Sequence, residues 1–175
     1  MGPIAETIAL TQDEALFAAQ IGCARAIADT FAGCQHRYGY DGEPFGIGIA
    51  GCFGELATAK YFDRYWAGAI GGFALDDVGQ HVQVRASNHP NANLIVHPAN
   101  GGNKRGDKPD DYFICARVAL PAVHLMGWML GADAQLPTYW CEPQPGRPCF
   151  LIPVASLRPM SELRLIVDFE REGSR

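Results

Sequence analysis

Two segments with helical periodicity, residues 11–37 and 50–66, precede a series of short strand-like segments at 73–75, 81–87, 94–96, 112–120 and 150–152. This order, helices first and strands after, predicts an α+β domain with helices packed on a mixed β-sheet. Thr11 and Glu14 have the spacing of a capping box, which sets the start of the first helix. Within it, Leu16, Ala19, Cys23, Ile27, Thr30 and Cys34 recur at steps of three and four and define the expected core-facing stripe. Residues 38–48 carry four glycines and Pro44 and read as a loop.

The second helix is expected to place Cys52, Glu55, Ala59, Phe62 and Trp66 on one face. Four of these five suit a core. Glu55 does not, and a carboxylate on a buried stripe needs a cation, a metal or a network of donors as its partner. From His81 to Ser87 the chain alternates, with Val82, Val84 and Ala86 on one side and His81, Gln83, Arg85 and Ser87 on the other. The run 112–120 is almost continuously apolar and reads as a central strand. Residues 123–130 and 163–169 fit either strand or helix, 154–157 fits a helical turn, and the four prolines of 137–148 predict irregular structure.

The 175 residues suit one domain, 1–175, with the N-terminal helix at about 11–37. A net charge of −5 argues against a chain held to nucleic acid by bulk charge alone, but leaves room for a local basic groove. No apolar run reaches the ~20 residues of a membrane span, and no basic region followed by an apolar stretch opens the chain. The expected location is the cytoplasm. The six cysteines lack any C-x-x-C pairing and read as reduced core thiols; Cys34 with His36 is the nearest approach to a zinc pattern.

A carboxylate on a helix (Glu55), an aspartate at a turn (Asp77) and a strand presenting Gln83 and Arg85 on one face form the layout of a metal-dependent phosphodiesterase site. Magnesium accepts oxygen ligands and keeps several waters, so Asp77, Glu55 and the Val84 backbone carbonyl would suffice. Gln83 supplies an amide oxygen. Arg85 can hold a phosphate or developing negative charge.

Gly54-Glu55-Leu56-Ala57, Asp77-Val78-Gly79 and Gln83-Val84-Arg85 resemble the motifs of the PD-(D/E)XK nuclease superfamily, closest to the branch with Gln in the strand motif. The resemblance covers about residues 48–120. It implies a restriction-endonuclease-like core, a helix carrying Glu55, and a β-meander carrying Asp77 and the Gln83/Arg85 pair. It also implies Mg²⁺ or Mn²⁺ as cofactor and DNA, single- or double-stranded, as substrate. Asp110 or Asp111, ahead of the strand at Tyr112, also fits such proteins.

Arg85 stands where the superfamily usually has Lys. A lysine can lose its proton near a metal, whereas arginine effectively cannot. Arg85 therefore suits charge stabilisation and not general-base chemistry, and Gln83 removes one negative charge from the site. The alternative reading is a catalytically degenerate protein of the same fold that binds nucleic acid or inhibits another protein in phage–host conflict; a second copy of the chain is a further partner left open. Lys104, Arg105 and Lys108 are the candidate nucleic-acid contacts, although such a cluster is more often a solvated loop. A weaker alternative is an assembly protein whose acidic surface meets a protein partner.

Overall fold

A computed structural model describes residues 4–33, 44–70, 77–79, 81–98 and 107–173, with the side chains of Pro44, Gln144 and 168–173 excepted. Its described elements run β1 (Glu6–Ala9), α1 (Gln12–Phe31), α2 (Pro44–Tyr61), β2 (Val82–Ser87), β3 (Leu94–Val96), β4 (Tyr112–Ala119), β5 (Ala122–Leu130), α3 (Gly131–Ala134), β6 (Trp140–Gln144), β7 (Arg147–Ile152) and α4 (Met160–Gly173). This is the expected α+β class, with a mixed four-stranded sheet ordered β1-β5-β4-β2 and a three-stranded sheet ordered β3-β7-β6. In the larger sheet β2 runs parallel to β4, and β5 is antiparallel to both β4 and β1.

The capping box forms as expected. Thr11 accepts from the Glu14 N–H, and the Glu14 carboxylate accepts from the Thr11 N–H. The buried face of α1 is not the predicted stripe, however. Ala18, Gly22 and Ala26 are buried, while Leu16 and Ile27 are exposed. Close packing explains the choice. A β-carbon on Gly22 would lie 2.6 Å from the Ile49 Cα, so α1 meets α2 backbone to backbone along its small-residue face.

The same contact explains why α2 begins at Pro44, inside the segment expected to be a loop. Gly48 faces the Gly22 carbonyl, and a β-carbon on Gly48 would lie 3.0 Å from that oxygen. Helix–helix packing here offsets the weak helix propensity of glycine, about 1 kcal/mol against alanine. Pro44 sits at the helix start, where its missing N–H costs no hydrogen bond. The helix ends at Tyr61, five residues before Trp66.

β4 separates two cores, which is why its sequence is almost continuously apolar. Ile114, Ala116 and Val118 join Cys52, Phe53, Ala57, Trp128 and Leu163 on the side of the long helices. Phe113 and Cys115 join Leu94, Val96, Phe150 and Ile152 against the smaller sheet. The ambiguous segments settle as strand for 122–130 and helix for 160–173. The proline-rich segment expected to be irregular contains the β6–β7 hairpin. Pro143 falls on the sheet's outer strand, where the ladder shifts between Cys141 and Gln144, a position that tolerates a residue without an N–H. No helix among the described residues is long and apolar enough to cross a membrane.

The implied β-meander is not what the described strands form. β2 pairs with β4, and β3 belongs to the other sheet. The expected short strand at 73–75 lies outside the described residues, as do Cys34 and His36.

Candidate active site

Glu55 reaches the site because α2 lies unusually close to the sheet. A β-carbon on Gly54 would stand 2.6 Å from the Ala86 Cβ and 3.1 Å from the Val84 Cγ1. The next residue, Glu55, is 6% exposed and has the partners that a buried carboxylate requires. Arg25 of α1 binds it in bidentate fashion, Nη1 to Oε1 at 2.6 Å and Nη2 to Oε2 at 3.0 Å. The Trp66 indole N–H donates to Oε2 at 2.9 Å. Arg25 is itself aimed by its Nε, which donates to the Ala69 carbonyl at 2.9 Å. Burial works against the Arg25 charge, but Glu55 outweighs it and raises the guanidinium pKa.

Asp77 lies on the edge of β2 away from β4. Its N–H donates to the Val82 carbonyl at 3.0 Å, and its Oδ2 accepts from the Val84 N–H at 2.7 Å. In a strand the N–H and C=O of one residue point to the same edge, so the Val84 carbonyl shares the edge that Asp77 occupies. Burial, then the charge of Glu55, raises the Asp77 pKa from 3.8 to about 6. The Val84 N–H, Arg85 and Arg25 oppose that rise. A carboxylate whose charge is disfavoured by burial and by a second carboxylate is a recognised feature of functional sites.

Gln83 and Arg85 lie on the face of β2 opposite α2. They register with Phe113 and Cys115 of β4, which face the smaller sheet, whereas Val82 and Val84 pack toward the helices. Glu55 therefore approaches from one face and Arg85 from the other, with Asp77 at the edge between them. The Arg85 guanidinium is 5.2 Å from the centroid of the Phe113 ring. Its Nη2 donates to Asp107 Oδ1 at 2.8 Å, and its Nη1 lies 3.9 Å from Asp77 Oδ2 and 3.4 Å from the Val84 carbonyl.

Sequence reasoning singled out neither Arg25 nor Asp107. Asp107 Oδ2 accepts from the His97 N–H at 2.8 Å, and the Asp107 carbonyl accepts from Gln135 Nε2 at 2.9 Å, so Asp107 is held as an anchor for Arg85. Burial pushes the His97 pKa down to about 4, against the pull of Asp107, leaving its ring neutral at pH 7. The demand of Glu55 for a partner was the one signal for Arg25. Asp111, 2% exposed, pairs with His81 Nδ1 at 3.2 Å. Lys108 is exposed, and Lys104 and Arg105 lie outside the described residues.

The oxygens that a hard divalent cation would use, the Asp77 carboxylate and the Val84 carbonyl, lie on one edge of β2. Magnesium needs few protein ligands because it retains waters. Three of the roughly four acceptor sites of the Glu55 carboxylate are already taken by Arg25 and Trp66. Among the described residues no group of three or more His, Cys, Asp and Glu side chains is arranged to hold a metal. No protein-family model, curated protein or solved structure matches this chain.

Proposed function

We propose that this chain is a metal-dependent nuclease of PD-(D/E)XK type that hydrolyses DNA phosphodiester bonds. The observation that carries the reading is Asp77: a carboxylate on the edge of β2 away from β4, beside the Val84 carbonyl, with Glu55 near enough to raise its pKa and an arginine 3.9 Å away. Asp77 and the Val84 carbonyl would hold Mg²⁺ or Mn²⁺. When bound, the ion would neutralise phosphate charge and lower the pKa of an attacking water. Glu55 adds negative charge beside Asp77 and fixes Arg25. Arg85 carries five N–H donors, more than its contacts with Asp107 and Val84 consume, and offers a fork to a phosphate oxygen. Gln83 lies on the Arg85 face, where its amide can orient the same substrate.

The test is cleavage of single- and double-stranded DNA by purified protein with Mg²⁺ or Mn²⁺. Cleavage should stop with a chelator and with Asp77→Asn. Intact substrates under all metal conditions, or an Asp77→Asn variant that cuts equally well, would overturn the proposal.

A second reading rests on a separate observation. Glu55 is clamped by Arg25, and Arg85 Nη1 already stands beside both the Asp77 carboxylate and the Val84 carbonyl. A guanidinium in that position supplies cationic charge without a metal, as a degenerate nuclease-fold protein that binds nucleic acid would. Calorimetric titration separates the two: metal binding lost in Asp77→Asn supports the enzyme, while metal-independent DNA binding lost in Arg85→Ala supports the binder.

A further inference from the structure

The smaller sheet carries a thiol pair that the site does not use. Cys141 of β6 and Cys149 of β7 are direct cross-strand partners, with their sulfurs 3.7 Å apart. Both are free thiols; Cys149 is buried and Cys141 half-buried. Directly opposite residues of an antiparallel pair have the Cα separation that a disulfide accepts, about 4.5–5.5 Å against 4.4–6.8 Å. The sulfurs need only close to about 2.05 Å. The ladder is irregular immediately after Cys141, so the outer strand can absorb that movement.

We propose that Cys141 and Cys149 form a redox-active dithiol site that takes small-molecule disulfides and closes to a cross-strand disulfide. Cys141, the more accessible thiol, attacks as its thiolate one sulfur of the small disulfide. That S–S bond breaks, one small thiolate leaves and takes a proton, and a mixed disulfide remains on Cys141. Cys149 then gives its proton to solvent and attacks the Cys141 sulfur, expelling the second small thiol. Two protein thiols are oxidised and one disulfide is reduced to two thiols. Burial, followed by the neighbouring Cys141, pushes the Cys149 thiol up to about 11, which leaves the first attack to Cys141.

The pair is placed where closure would be felt at a distance. β7 also pairs with β3, with Phe150 opposite Val96, and His97, the residue after β3, donates to the Asp107 carboxylate that holds Arg85.

The experiment exposes the full chain to a glutathione buffer of increasing oxidised fraction, blocks remaining thiols by alkylation, and maps the peptides by mass spectrometry. The expected product is a Cys141–Cys149 crosslink with the chain lighter by two hydrogen atoms, reversed by dithiothreitol. Cys149→Ser should instead trap glutathione on Cys141. Full alkylation of both thiols throughout the titration would overturn the proposal, as would pairing of Cys149 with a cysteine other than Cys141. The wild-type map decides the matter even if the serine variant folds poorly.

Discussion

Replacing Asp77 by Asn should stabilise the protein at neutral and alkaline pH while abolishing the proposed metal-dependent cleavage. The folded-state pKa of Asp77 stands near 6, against an ordinary 3.8, raised first by burial and then by Glu55. A carboxyl group with a raised folded pKa contributes stability that is complete below its unfolded pKa and is lost as pH rises through its folded pKa. Asp77 therefore begins to weaken the fold above about pH 4, and the loss is nearly complete above about pH 7. At about 1.36 kcal/mol per pKa unit the rise corresponds to a ceiling of about 3 kcal/mol. A quarter of the side chain (24%) is exposed, and solvent screening lowers the expected gain to about 1–3 kcal/mol. The asparagine amide would keep an oxygen for the Val84 N–H, so the change removes charge with little loss of geometry. Urea unfolding followed by tryptophan fluorescence at pH 4, 6 and 8 measures the effect. The Asp77→Asn variant should gain stability at pH 8, gain less at pH 6 and converge on the parent at pH 4. Equal stability at pH 8, or a difference that does not change with pH, would refute the reasoning.

Other perturbations address the supports of the site. Glu55→Gln leaves Arg25 without its carboxylate and should cost about 2–4 kcal/mol in unfolding experiments, less than a fully buried pair would because Arg25 is 28% exposed. It should also lower the Asp77 pKa, seen by NMR titration of the carboxyl carbon, because Glu55 is one of the groups raising it. Gly54→Ala gains about 1 kcal/mol in helix propensity but drives a β-carbon to 2.6 Å from Ala86 Cβ. The net result should be a loss of about 1–2 kcal/mol by denaturant titration. Asp107→Asn should cost about 1.5–3 kcal/mol of stability and weaken DNA binding or cleavage by the folded protein about tenfold, because Arg85 loses its charged anchor; Asp107→Glu should restore part of both.

The α+β class and the strands β2 to β4 were legible because each rests on local periodicity. The buried face of α1 was not. Its large apolar residues pointed to Leu16 and Ile27, but the contact with α2 selected Ala18, Gly22 and Ala26 because only small side chains allow that approach. The start of α2 was hidden for the same reason, since Gly46 and Gly48 read locally as helix breakers. The β6–β7 hairpin was masked by prolines that the outer strand and its irregularity accommodate. In each case a tertiary contact outweighed a preference measured over a few residues.

The candidate site divides along the same line, and the division bears on its chemistry. Glu55, Asp77, Gln83 and Arg85 are visible as a motif, but the charges that set their behaviour come from elsewhere in the chain. Arg25 reaches Glu55 across 30 residues, and Asp107 reaches Arg85 across 22. Without Arg25, Glu55 would be an uncompensated carboxylate available to a cation; with it, Glu55 becomes a fixed negative charge that shapes Asp77. Without Asp107, Arg85 could swing fully toward Asp77; with it, the guanidinium is shared between two carboxylates. Whether the edge of β2 takes a metal therefore depends on how strongly two arginines are held by their own partners. An Asp107→Asn variant that lost metal affinity would mean that Arg85, released from its anchor, competes for Asp77. Unchanged affinity would mean that Asp77 and the Val84 carbonyl act independently of it.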